Sequence, residues 1–99
     1  MITSKQRAFL RSKANELDAI FQIGKGGINE NLIAQLNDVL ESRELIKIKV
    51  LETALMTARE ASEAVCAATG AEPVQCIGTK FVVYRQARDP EKRRIVLCK

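Results

Sequence analysis

The stretch Ile23-Gly24-Lys25-Gly26-Gly27-Ile28-Asn29 lies between a short apolar run and a strongly periodic helical segment. Glycine has no Cβ, so this loop can adopt positive φ and allow a ligand to approach the backbone closely. Asn29 is a good N-cap, and the free amides of a helix N-terminus favour an anion. With Lys25 in the loop, the stretch indicates a strand–loop–helix unit that contacts phosphate. The alternative is that Gly24 and Gly27 only permit a tight turn.

The segments on either side of the loop predict one strand before it and a helix and strand after it. Ala19 to Ile23 has the length and apolar character of a strand. Ile46 to Val50 alternates apolar residues with Lys47 and Lys49, which predicts a second strand with one basic face. Between the strands, apolar residues at helical spacing form one stripe: Leu32, Ile33, Leu36, Val39 and Leu40. A strand, a helix and a strand over about 30 residues predict a parallel βαβ unit.

The remaining chain predicts two more helices and a hairpin. Thr3 or Ser4 caps a first helix, and Thr57 with Glu60 fits the capping box of a third. Gly78-Thr79 is typical of a type II′ hairpin turn. The predicted boundaries are helices at about 4–17, 29–41 and 58–69, and strands at 19–23, 46–50, 74–77 and 81–84.

The resulting order, α-β-α-β-α-β-β, predicts an α/β fold of the two-layer α+β kind with a four-stranded mixed sheet. The second and third helices should lie on one sheet face. The first helix should cover apolar residues on the other face. We expect a single domain over residues 1–85 and a basic C-terminal tail over residues 86–99.

Composition argues against several classes of protein. The chain has 99 residues, no histidine and three cysteines without a CxxC pair, so the usual zinc patterns are absent. Without histidine the commonest general base is missing, and we expect no catalytic residue, metal or cofactor. The cysteines are interpreted as free buried thiols, with only Cys98 reactive. The N-terminus lacks the apolar core of a signal peptide, so we expect a cytoplasmic monomer with no membrane contact and no small-molecule substrate.

Positive charge is concentrated at the two ends of the chain. Residues 1–84 are neutral overall, whereas residues 85–99 carry the net charge of +4. The first helix presents Lys5, Arg7, Arg11 and Lys13 before any acidic residue. A basic face of this kind is either a solvated surface or a binding surface for a polyanion. Lys47 and Lys49 have the same two interpretations, depending on whether the first helix covers them.

Four segments, in order and over nearly the whole chain, resemble the CRM domain in its stand-alone bacterial YhbY-like form. They are Lys5–Leu10, Ile23–Gly27, Glu44–Val50 and Ile77–Arg85. The resemblance implies an RNA-binding domain whose fold is similar to the C-terminal domain of bacterial translation initiation factor 3. It also implies association with precursors of the large ribosomal subunit. The GxxG loop of the family corresponds here to Gly24 and Gly27.

We therefore interpret the chain as an RNA-binding ribosome assembly factor. Its spacing of glycines excludes the usual dinucleotide and nucleoside-triphosphate motifs, whereas a GXXG loop in KH domains clamps a nucleic-acid backbone. The alternative is a protein-interaction module that docks on a ribosomal protein or GTPase without touching RNA. The predicted RNA-contacting residues are Gly24, Lys25, Gly26, Gly27, Asn29, Lys5, Arg7, Arg11, Lys13, Lys47, Lys49 and Arg85.

Overall fold

A computed structural model of the chain describes residues 2–93 and residue 95. It contains three α-helices and four strands in the predicted order, with two short 3-10 turns. The elements are α1 (Ser4–Ala14), β1 (Ala19–Ile23), α2 (Glu30–Arg43), β2 (Leu45–Val50), α3 (Ala58–Thr69), β3 (Glu72–Ile77) and β4 (Lys80–Tyr84), with 3-10 turns at Glu52–Ala54 and Pro90–Lys92.

Side-chain caps fix the helix starts that the sequence predicted. Thr3 caps α1 and forms a capping box with Gln6, while Thr57 forms the same box with Glu60 at α3. α3 ends at Gly70, whose φ of 76° lies in the left-handed region. Because each box satisfies two otherwise free amides, it stabilises a helix start by about 1 kcal/mol.

α1 is shorter than predicted. The helix ends at Ala14, and the amide of Leu17 donates to the Ala14 carbonyl at 3.0 Å in a tighter final turn. Leu17 keeps its predicted apolar contact, because it packs beside the cluster that α1 forms with the sheet. The periodicity therefore predicted the buried face correctly and overestimated the length of the helix.

The four strands form one mixed sheet in the order β1-β2-β4-β3. β1 and β2 are parallel, and β4 is antiparallel to both β2 and β3. Gly78 has φ 59° and joins β3 to β4 in the predicted two-residue turn. The Val50 amide donates to the Thr79 carbonyl at 2.7 Å. The hairpin tip and the carboxyl ends of β1 and β2 therefore lie together where these strands end. We call this end of the sheet, which is not an edge strand, the loop edge.

The two faces of the sheet carry separate apolar cores. α2 and α3 cover one face, where Ile46, Ile48 and Val50 of β2 are buried with Phe81 and Val83 of β4. This confirms that both crossover helices lie on the same side. Since side chains alternate along a strand, Leu45, Lys47 and Lys49 face the other side.

α1 covers only part of that second face. Leu10 and Ala14 are fully buried against Leu45, Val74 and Val82, and Tyr84 is buried in the same cluster. Burial of a leucine such as Leu10 contributes about 2 kcal/mol to the packing of α1 on the sheet. The part of this face nearest the loop edge is left open.

The described part of the predicted tail packs against α2. Ala87 is fully buried, and its amide donates to Glu44 Oε2 at 2.8 Å. The amides of Arg88 and Asp89 donate to the two carboxylate oxygens of Glu41, each at 2.9 Å. Residues 86–93 are thus anchored to the domain, while residue 94 and residues 96–99, which include Cys98, lie outside the described residues.

No helix in the described part of the chain is long and apolar enough to cross a membrane.

Candidate nucleic-acid interface

The glycine loop, residues 24–27, leaves β1 at the loop edge and leads into α2. The Gly27 amide donates to the Gly24 carbonyl at 2.9 Å, and Gly27 has φ 64°. A side chain at this φ is strained, so the tight-turn interpretation accounts for Gly27. Asn29 caps α2 by accepting the Leu32 amide at 2.9 Å.

The same interpretation does not account for Gly26. A Cβ added there would meet only the Asn29 side chain, at an ordinary 3.7 Å, and Gly26 is not in the left-handed region. Among the described residues, no hydrogen bond uses the amide of Lys25 or Gly26. Both residues are exposed, so one turn combines two unused amide donors with the Lys25 ammonium. This arrangement suits a phosphate oxygen.

Lysines on β2 and β4 form a second basic group at the loop edge. We call Lys47, Lys49 and Lys80 the lysine face; Lys49 lies directly opposite Lys80 in the β2–β4 register. All three are on the α1 side of the sheet, where Lys80 is exposed and Lys47 and Lys49 are half-buried. Gln22 of β1 is the register partner of Lys49, and Lys25 follows only three residues later. The register thus brings the glycine loop and the lysine face to the same edge.

The four basic residues of α1 do not form one face. Arg7 donates from Nε to the Pro73 carbonyl at 3.1 Å, at the β3 edge of the sheet. Arg11 is one turn further on the same flank. Lys13 lies on the other flank, with its ammonium 5.3 Å from the ring centre of Phe9. Lys5 is exposed near the start of the helix, away from the glycine loop.

Arg85 is not part of this surface. It follows the end of β4, about 17 Å from Lys80 along an extended strand. Its Nη1 donates to Asn37 Oδ1 at 2.6 Å and to the Thr69 carbonyl at 2.9 Å, joining α2 to α3. Burial lowers the pKa of Arg85, and the neighbouring Arg88 lowers it further. The structure gives Arg85 a structural role that sequence reasoning missed, because its partners are distant in the chain.

The ring of Tyr84 is buried and cannot stack on an RNA base. It is 3% exposed, and among the described residues its hydroxyl has no hydrogen-bond partner. Burial raises the pKa of Tyr84, with a further contribution from the Glu44 carboxylate. Phe21 and Phe81 pack in or against the α2–α3 core. The described interface therefore has no aromatic platform of the RRM kind.

Two features near the glycine loop were not predicted. Lys80 was not among the predicted RNA-contacting residues, although its position directly after the Gly78-Thr79 turn could have indicated that it lies at the loop edge. Leu55 is 93% exposed with φ 54°, and the neighbouring Met56 approaches Gly27. No sequence pattern predicts a leucine in the left-handed region.

No group of three potential metal ligands occurs among the described residues. The prediction that the cysteines are buried was wrong for Cys76, which is exposed on the edge strand β3. Burial raises the pKa of the half-buried Cys66 thiol, whereas its hydrogen bond with Ser62 lowers it.

The two described cysteines should differ in reactivity. In a Cys98→Ser variant at pH 8, Cys66 should react with iodoacetamide about tenfold more slowly than Cys76, because burial reduces both its thiolate fraction and its accessibility. The pKa of Cys66 is higher in the folded state, so the protonated thiol favours folding. Its contribution to the free energy of unfolding is complete below the usual thiol pKa and is lost as pH rises through the raised pKa. Mass spectrometry of alkylated peptides measures both rates. Equal rates at pH 8 would contradict the described burial.

Comparison with known proteins identifies the family of this chain. The model of the CRS1/YhbY (CRM) domain matches residues 2–85. The chain belongs to the CRM family. That match ends at the predicted domain boundary, although the structure shows that the residues just beyond it pack on α2.

The CRM relatives are described as RNA-binding proteins. The chain is 44% identical over 89 residues to "Probable RNA-binding protein YqeI" of Bacillus subtilis, covering 90% of this chain and 93% of that one. It is 32% identical over 88 residues to an RNA-binding protein of Haemophilus influenzae, covering 89% of each. The solution structure of SAV1595 from Staphylococcus aureus is similar with a TM-score of 0.74, at 44% identity over 97% of this chain and 100% of that one. The predicted family and fold class are thereby confirmed.

Proposed function

We propose that this CRM protein binds structured RNA through the glycine loop, the lysine face and the adjoining end of α1. One observation carries the proposal: the β1–β2–β4 register places Lys25, Lys49 and Lys80 at the same edge of the sheet. The free amides of Lys25 and Gly26 lie at that edge as well. The names of the relatives support RNA as the polyanion.

Backbone contacts should dominate the recognition. Lys47 and Lys49 are two residues apart on one strand face, about 7 Å along the strand, and so present a track of charge rather than a single point. No exposed aromatic group lies on the described interface to stack on a base. Binding should therefore depend on charge and shape, be sensitive to salt and have little sequence preference outside a larger assembly.

The proposed target is ribosomal RNA in precursors of the large subunit, where the protein acts as an assembly factor in the cytoplasm. This part rests on the family resemblance. Of the twelve predicted contact residues, direct roles are proposed for Lys25, Gly26, Arg11, Lys13, Lys47 and Lys49, while Gly24, Gly27 and Asn29 shape the loop. Arg85 is left out because both of its Nη groups donate within the domain, to Asn37 and to the Thr69 carbonyl. Lys5 and Arg7 are peripheral, since both lie on the half of α1 away from the loop edge.

Gradient sedimentation tests the ribosomal assignment. A tagged copy should travel with precursor particles of the large subunit and leave them as salt rises. The Lys25→Glu/Arg11→Glu variant should stay at the top of the gradient with a nearly unchanged melting temperature, because both side chains are exposed. A wild-type protein that remains at the top at low salt would overturn the assignment. Salt-independent sedimentation of the variant with particles would instead support docking on a protein.

A further inference from the structure

A small pocket lies at the open end of the sheet face, where α1 ends. It has a volume of about 140 Å³ and is lined by Asn15, Lys47, Gln75, Ile77, Lys80 and Val82. A cavity of about 150 Å³ accommodates benzene, so this space is the size of one six-membered aromatic ring. It is distinct from the glycine loop, which lies beyond the ends of β1 and β2.

Among the described residues, the lysines around the pocket form no ion pair. Lys49 and Lys80 are register partners, and like charges directly opposite each other on a sheet are destabilising. An anion bound between Lys47, Lys49 and Lys80 would relieve this repulsion.

The walls of the pocket are apolar on one side and polar on the other. Val82 is 2% exposed and forms part of the floor, while Ile77 is 63% exposed at the rim. An isoleucine so exposed gains if a flat ring packs against it. Asn15 and Gln75 each carry one amide that both donates and accepts hydrogen bonds. This combination matches the edge of a nucleobase, which also alternates donors and acceptors.

We propose that the pocket binds one pyrimidine nucleotide of the RNA. The ring would pack on Val82 and Ile77, its polar edge would face Asn15 and Gln75, and its phosphate would lie among the three lysines. The second ring of a purine would extend beyond a pocket of about 140 Å³ and lose these wall contacts. The inference rests on the proposed RNA binding and adds a preference that backbone contacts alone would not produce.

Fluorescence anisotropy of the full-length protein with labelled oligonucleotides tests this preference. Wild-type protein should bind a uridine decamer about fivefold more tightly than an adenosine decamer. Ile77→Ala should remove the preference by lowering affinity for the uridine decamer about fivefold, since it takes away the contact with the ring. Leu55→Ala is the matched control, because it truncates an aliphatic side chain that is also exposed and lies outside the pocket. Because Leu55 lies near the glycine loop and not in the pocket, this variant should leave the ratio of the two affinities unchanged.

Nuclear magnetic resonance separates the contribution of the base from that of the phosphate. At millimolar concentration, uridine 5′-monophosphate should shift the amide signals of Asn15, Gln75 and Val82 more strongly than ribose 5-phosphate does. Equal shifts with the two compounds, or no shifts, would contradict the proposal that the pocket binds a pyrimidine nucleotide. Equal affinity for the two decamers would do the same while leaving RNA binding intact. Failure to bind any RNA would instead remove the proposed function itself.

Discussion

Charge reversal at Lys25 and Lys49 is expected to weaken binding of a purified ribosomal RNA fragment by about 30-fold or more in 0.15 M salt. Each phosphate contact releases about 0.7–0.9 counterions, which at this salt concentration corresponds to about fivefold in affinity. Two lost contacts therefore give about 25-fold, and the repulsion from the new carboxylates raises the loss to about 30-fold or more. Fluorescence anisotropy with the labelled fragment measures the change.

The control for this variant is Arg43→Glu/Arg59→Glu. It changes the net charge by the same amount at exposed positions on the C-terminal turn of α2 and the first turn of α3, away from the lysine face. Its affinity for the RNA fragment should fall only a few-fold, because the lower net charge weakens the long-range attraction to RNA. Equal losses in the two variants would show that net charge, rather than this surface, controls binding.

Replacement of Glu44 by alanine is expected to lower the free energy of unfolding by about 3 kcal/mol. Glu44 is fully buried, and its carboxylate accepts the amides of Ala87 at 2.8 Å and Ile95 at 2.9 Å. Without it two amides lose their acceptor, and each buried donor left unsatisfied costs about 1–3 kcal/mol. For a domain of this size the melting temperature should fall by roughly 15 °C.

The matched variants are Glu44→Gln and Glu41→Ala. Glutamine keeps one acceptor oxygen but turns an NH₂ group toward the second amide, so its loss of stability should be intermediate. Glu41→Ala removes the acceptor of the Arg88 and Asp89 amides at a less buried position and should cost about 1 kcal/mol. Thermal unfolding followed by circular dichroism gives the order. A Glu44→Ala melting temperature within a few degrees of wild type would contradict the anchoring of the tail segment. At 25 °C, RNA affinity of Glu44→Gln should be unchanged, because this contact lies at the opposite end of the sheet.

Local signals in the sequence were sufficient to predict the type and order of the helices and strands. Caps such as Thr57 and Asn29 act within four residues, and the α2 stripe follows directly from helical periodicity. The turn at Gly78-Thr79 is likewise a local property. These features depend on neighbours in the chain, so a single sequence displays them.

The arrangement of the site depends on contacts between distant segments, and the sequence predicted it only in part. Lys47 and Lys49 were correctly placed together on one strand face, but their relation to α1 and to Lys80 required the sheet order. Arg85 was among the predicted RNA-contacting residues, but its guanidinium donates to Asn37, 48 positions away. Cys76 was expected to be buried because cysteine usually is, yet the edge position of β3 exposes it.

The salt dependence of binding tests the central claim most directly. The equilibrium constant for the ribosomal RNA fragment should be measured from low to physiological salt for wild type and for Lys25→Glu/Lys49→Glu. With four to six cationic contacts around the loop edge, we expect a wild-type slope of log K against log salt of about −3 to −5, and a slope about 1.5 units shallower for the variant. A wild-type slope near zero, or identical slopes for the two proteins, would contradict RNA binding by this surface.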